Sequence, residues 1–223
     1  MMRFMLFYPL LFGVVGRYFL PAIARNSGFN ITGNADFILA VLALMTPVIF
    51  GALIGFSILD DRDDHIIDSI KVTPLTFNQF MSFRLIVVYI LSLISCIFVI
   101  WFSDVATLPW KDLLLISFLA SLGAPITGLL INIFSQNKIE GFAIMKLLGI
   151  IVMLPIISLL FTDARELFFA IFPAFWPAKM ISTLIRGEAQ MFLSYNLYFW
   201  IGLVYVAIAS LLAYKKFIRK VAS

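Results

Sequence analysis

Four stretches of this chain run without a charged residue for long enough to cross a bilayer: Phe37 to Leu59, Leu85 to Ser103, Leu113 to Asn137 and Ala189 to Tyr214. A helix needs about 20 mostly apolar residues to span a hydrocarbon core roughly 30 Å thick. Of the 223 residues, 63% are hydrophobic and 13% charged, where a soluble domain carries roughly 25% charged residues. Most of the chain therefore cannot face water, and the fold class is an all-α integral membrane protein.

Two further apolar runs carry one cation each, Phe4 to Ile23 with Arg17 and Phe142 to Phe161 with Lys146. Both cations fall within a turn or two of a predicted helix end. There a long side chain reaches the interface and avoids most of the roughly 2.5–3.5 kcal/mol that mid-membrane placement costs. The expectation is one transmembrane domain over residues 1–223 with six membrane-spanning helices.

Orientation follows from Lys and Arg in the loops. With the N-terminus inside, ten cations are cytoplasmic: Arg3, Arg62, Lys71, Arg84, Lys138, Lys146, Lys215, Lys216, Arg219 and Lys220. Six lie outside: Arg17, Arg25, Lys111, Arg165, Lys179 and Arg186. Both termini are expected in the cytoplasm. A competing reading takes Arg3, the uncharged run Phe4 to Gly16 and Ala22-Ile23-Ala24 as a secretory signal; against it, Arg17, Tyr18 and Phe19 stand where that signal should turn small and polar.

Catalytic chemistry finds no support. There is one histidine, His65, and one cysteine, Cys96, so neither a zinc cluster nor a disulfide framework is possible within the chain. No Gly-rich sequence ends in Gly-Lys-Ser/Thr, so the chain lacks a P-loop and no cofactor is expected on it. In "GFSIL" (Gly55 to Leu59), leucine stands where a nucleophile elbow wants glycine, which leaves an intramembrane hydrolase as a weak alternative. A transporter driven by an ion gradient needs ionisable groups near the midplane, and the predicted spans hold no Asp, Glu or His. The basic residues are dispersed over loops and tail, which does not suit nucleic acid. Gly51 and Gly55 form a small-xxx-small pattern that suits close helix packing.

The most distinctive segment begins where the first uncharged run ends. Asp60, Asp61, Asp63, Asp64 and Asp68 crowd into nine residues with Arg62 among them. The spacing predicts that the span stops at Leu59 and that Asp63 or Asp64 caps a short new helix, whose first turn favours negative charge. Ile66, Ile67 and Ile70 share one face of it, and Thr73 before Pro74 ends it. Thr76 and Gln79 then have the form of a capping box for the next helix, with Phe77, Phe80 and Phe83 at three-residue spacing. The charges alone would serve to keep a hairpin out of lipid. Three isoleucines on so short an exposed helix instead suit a partner surface.

The stretch "LDDRDDHIIDSIKVTPLTFNQFMSFR" resembles the first cytoplasmic loop of type-2 ABC exporter permeases, where an acidic segment precedes a coupling helix and a Thr-Pro-Leu turn. "QNKIEGFAIMK" (Gln136 to Lys146) and "FPAFWPAK" (Phe172 to Lys179) are similar to the bacterial members labelled as drug or fluoroquinolone export permeases. The resemblance implies a permease dimer, of like or unlike chains, in the cell membrane, served by a separate ATP-binding subunit that carries ATP and Mg. It implies that Asp60, Asp61, Arg62, Asp63, Asp64, Ile66, Ile67, Ile70, Thr73, Pro74 and Leu75 couple ATP hydrolysis to the spans. Family members usually carry an amphipathic helix ahead of the first span, where this sequence has Met1, Met2 and Arg3.

The other unusual segment is Thr162 to Ser194. Its apolar part, Leu167 to Ser182, is broken by Pro173 and Pro177, and 10 to 14 apolar residues read as re-entrant or interfacial rather than spanning. Phe175 and Trp176 are expected near the headgroups, where aromatic rings settle. The alternative is a seventh span, which would put the "KKFIRK" tail outside. An apolar or amphiphilic substrate such as a drug is expected; a scaffold or immunity component without transport, or a gradient-driven transporter, stays open.

Overall fold

The computed structural model describes residues 7–28, 30–64 and 76–222, and all regular structure among them is helical. The chain opens with α1 (Tyr8–Val14), a π-helical turn (Val15–Phe19) and α2 (Leu20–Ser27), which Gly28 ends in the left-handed region at φ 69°. Glycine adopts that conformation without a Cβ clash. The long helices follow: α3 (Ala35–Asp63), α4 (Phe77–Ser103), α5 (Trp110–Ser121), α6 (Gly123–Phe134), α7 (Lys138–Ile157), α8 (Phe175–Arg186) and α9 (Tyr195–Ala222).

Among the described residues, five helical segments are long and apolar enough to cross a membrane: Thr32–Asp63, Phe77–Ser103, Trp110–Phe134, Lys138–Leu160 and Tyr195–Lys220. The chain is a multi-pass membrane protein. The third of these is a single path bent at Leu122, where α5 gives way to α6. The remaining crossing predicted from sequence falls on the run from α1 to α2.

The centre of the bundle is α3, which packs against α6 most extensively and against α4, α7 and α8 besides. Backbone proximity makes this possible. A Cβ at Gly51 would stand 2.5 Å from Thr127 Cβ and 2.6 Å from the Ala124 carbonyl oxygen, and one at Gly128 would stand 2.4 Å from Ile54 Cγ2. The buried Asn132 amide then ties the two helices, donating to Gly55 O at 2.9 Å and to Gly128 O at 3.0 Å. In an apolar medium that bond matters because the buried Asn132 amide hydrogens have no water to turn to.

Two expectations need correction. The helix of the first uncharged run continues past Leu59 through Asp63, so Asp63 is its last residue rather than the cap of a new one, while a new helix capped by Asp64 would lie outside the described residues. Charge marks the end of an apolar run, but backbone hydrogen bonds carry on wherever the side chains find partners. Phe175 and Trp176, expected among headgroups, are core residues at 0% and 5% exposure. Their rings stand edge to face, Phe175 also meets Tyr198, and Trp176 Cβ lies 2.6 Å from where a Cβ of Gly202 would be. The segment's exposed apolar side chains include Leu167, Phe168 and Ile171 instead. At 12 residues, α8 is too short for a seventh crossing.

Candidate functional site

The acidic end of α3 presents a physical difficulty. Asp60, Asp61 and Asp63 occupy the last turn of a helix, where the backbone dipole is already negative. The neighbouring helices supply the compensation. Asp61, which is buried, pairs with Arg84 Nη1 on α4, and Arg84 Nη2 donates to Ser57 Oγ at 2.5 Å. The Arg84 guanidinium also lies 5.1 Å from the Phe80 ring centre. Asp60, half exposed, pairs with Lys138 Nζ at 2.7 Å at the first residue of α7. Arg62 is partly buried, while Asp63 and Asp64 are exposed.

Local sequence fixes the partners in place. The capping box forms as the sequence predicts: Thr76 Oγ1 accepts from Gln79 N at 3.3 Å and Gln79 Oε1 accepts from Thr76 N at 3.0 Å. That fixes the start of α4 about two turns before Arg84. At the start of α7, Asn137 Oδ1 accepts from Glu140 N at 3.0 Å and Glu140 Oε2 accepts from Gln136 N at 2.7 Å. Lys220 on α9 donates to the carbonyls of Asn132, Ile133 and Ser135 at 3.1, 3.1 and 2.9 Å, closing the end of α6 with a cation where the dipole favours one. The Asp60 and Asp61 pairs thus join three crossing segments, α3, α4 and α7, and Lys220 separately joins α9 to the end of α6.

Ile66, Ile67, Ile70, Thr73, Pro74 and Leu75 lie outside the described residues, as does the coupling helix they were expected to form. Asp60, Asp61, Arg62, Asp63 and Asp64 come together at the α3 terminus, and Gly55 and Gly51 lie about two and three turns deeper on the face toward α6.

Sequence reasoning missed a second set of charges at the opposite end. Asp36, in the first turn of α3, pairs with Arg186 Nε at 2.7 Å and accepts from Ser182 Oγ at 3.0 Å. Glu166 pairs with Lys179 Nζ at 2.6 Å and accepts from Tyr198 Oη, while Lys179 also donates to Phe161 O at 2.7 Å. Burial pulls the Lys179 ammonium below its ordinary pKa, with Glu166 opposing the shift. The available signal was Glu166 and Lys179 flanking an apolar segment too short to span: a charge beside such a segment needs a partner.

The family described as fluoroquinolones export permease protein Rv2686c-like matches residues 1–214 of this chain. The chain is 31% identical over 169 residues to the fluoroquinolones export permease protein Rv2686c of Mycobacterium tuberculosis (strain ATCC 25618 / H37Rv). It matches the fluoroquinolones export permease protein MT2760 of Mycobacterium tuberculosis (strain CDC 1551 / Oshkosh) to the same degree. Each match covers 72% of this chain and 65% of the relative, so the chain spans less than two thirds of the length of the curated relatives it matches. No solved structure matches it.

Proposed function

The chain belongs to the Rv2686c-like family of fluoroquinolones export permeases, and from that premise we propose that it is the membrane subunit of an ATP-driven type-2 ABC exporter. Two such subunits, alike or different, work in the cell membrane with a separate ATP-binding subunit that holds ATP and Mg. The substrate is an apolar or amphiphilic molecule of the fluoroquinolone kind. Each subunit crosses six times, the run from Tyr8 to Ser27 being the first crossing, with both termini in the cytoplasm.

The observation that carries this reading is the ion-paired junction at Asp60 and Asp61. The segment 65–75 joins α3 to α4 directly beside it. Force applied there by closing ATP-binding subunits reaches α3 and α4 through the chain, and α7 through Lys138. The isoleucine face supplies the buried contact with the partner, while Asp63 and Asp64 set register with basic groups at its rim.

Buried Asp36 and Glu166 favour a second reading, transport driven by an ion gradient, because such carriers use buried carboxylates. Both are held by cations at one end of the bundle rather than standing open. Reconstitution in liposomes separates the two. The chain alone should move no substrate under a proton or sodium gradient, and ATP should drive transport only once the ATP-binding subunit is added. Gradient-driven movement by the lone chain overturns the assignment.

A further inference from the structure

We propose that a small apolar cavity within the single chain seats the compact alkyl group of the exported amphiphile, apart from any groove between two copies. The inference rests on the export reading and names the part of the substrate this chain recognises. The cavity holds about 80 Å³. It lies where Pro47 interrupts α3, Gly123 opens α6, Val152 and Val206 project from α7 and α9, and Pro177 begins to roof it from α8.

Its lining decides what can enter. The walls are hydrocarbon, and the Thr127 hydroxyl that reaches them already donates to Gly123 O at 2.8 Å. A carboxylate placed here would find no free donor and an ammonium no acceptor but the Thr127 oxygen, and either would lose its hydration. Water gains little for the same reason, since a retained water needs 2–4 polar partners. What remains favourable is a hydrocarbon group, which restores the contacts an empty void forgoes.

Size narrows the class further. About 80 Å³ is roughly half the volume of an apolar cavity of about 150 Å³ that takes up benzene. That suits an ethyl or small cyclic substituent and is too short for a lipid acyl chain. On α7 the buried residues are Gly141, Leu148 and Pro155, while Leu147 and Ile150 are exposed and Leu148, Ile151 and Val152 turn to the cavity. One helix therefore separates the void from the outer surface of the chain.

Gly123 offers a way to close the site. A Cβ there would lie 3.7 Å from Pro47 Cβ, an ordinary contact. The test uses the full chain in nanodiscs, with Cys96→Ala and Val206→Cys, modified by methyl methanethiosulfonate. Norfloxacin, an N-ethyl fluoroquinolone, should slow modification about tenfold, whereas its analogue lacking the N-alkyl group should not. Adding Gly123→Val, or Gly123→Ala if valine lowers the thermal midpoint, should abolish that protection. The same substitution should cut ATP-driven norfloxacin export by the complex with its ATP-binding subunit about tenfold. Equal protection by the analogue, no protection at all, or modification already blocked by lipid overturns the inference. Normal export with the cavity filled overturns it while leaving the export reading intact; protection without export does the reverse.

Discussion

Lys179 Nζ lies 2.6 Å from Glu166 Oε2, and neither side chain has any exposed surface. The pair fastens α8 to the 3-10 turn Ala164–Phe169, and Tyr198 brings α9 to the same carboxylate. Desolvating two charges is costly, and their attraction balances that cost only while both are present.

Removing one partner should therefore be far worse than removing both. Glu166→Gln or Lys179→Met alone is expected to destabilise the chain by about 3–5 kcal/mol, and the double variant to recover most of the loss. Thermal unfolding followed by retention of the monodisperse peak reads this. Additive losses in the double variant would show that the pair is not coupled.

At the other end of the bundle, Arg84→Ala leaves the buried Asp61 carboxylate without its cation, at a cost of roughly 3 kcal/mol. Arg84→Lys should restore little. An ammonium cannot serve Asp61 and Ser57 from one plane while lying over the Phe80 ring. Comparing the three unfolding midpoints checks this, and full rescue by lysine contradicts it.

The approach of α3 to α6 predicts a contrast between glycines. Gly51→Ala places a methyl 2.6 Å from the Ala124 carbonyl oxygen, part of the backbone that cannot swing aside. The expected loss is about 1–3 kcal/mol. Gly149→Ala meets nothing within 4 Å and should be neutral or gain about 0.4–1 kcal/mol. Chemical denaturation of both variants in the same detergent gives the comparison.

Coupling is tested on the segment between α3 and α4. Ile67→Asp or Ile70→Asp is expected to abolish substrate-stimulated ATPase activity of the reconstituted complex with the membrane chain still folded, since each buries an unpaired charge in the contact. Normal stimulation in either variant would remove the coupling role. Asp60→Ala breaks a half-exposed pair and should weaken assembly modestly, with the difference fading as salt is raised.

The long helices were legible because absence of charge over a membrane's thickness has one common cause, and the capping box at Thr76 and Gln79 because its two bonds are local. The α3 terminus was misread at Leu59 because its continuation depends on Arg84 and Lys138, which spacing does not place nearby. Phe175 and Trp176 look like interfacial aromatics until Gly202 is seen to make room for one of them. The pairing of Asp36 with Arg186 was hidden altogether: each is an ordinary charge at a helix end, and no periodicity connects them.

That last contact has a consequence for how the chain is made. Ser182, which shares the Asp36 carboxylate with Arg186, comes 146 residues later, and at roughly 5–20 residues per second the ribosome needs about 7–30 s to reach it. Through that interval α3, the centre of the finished bundle, stands in the insertion machinery with its carboxylate unpaired. Placement near the water-facing end lets Asp36 stay hydrated while it waits. The centre of the fold is thus synthesised well before α8 and is closed off only when α8 emerges.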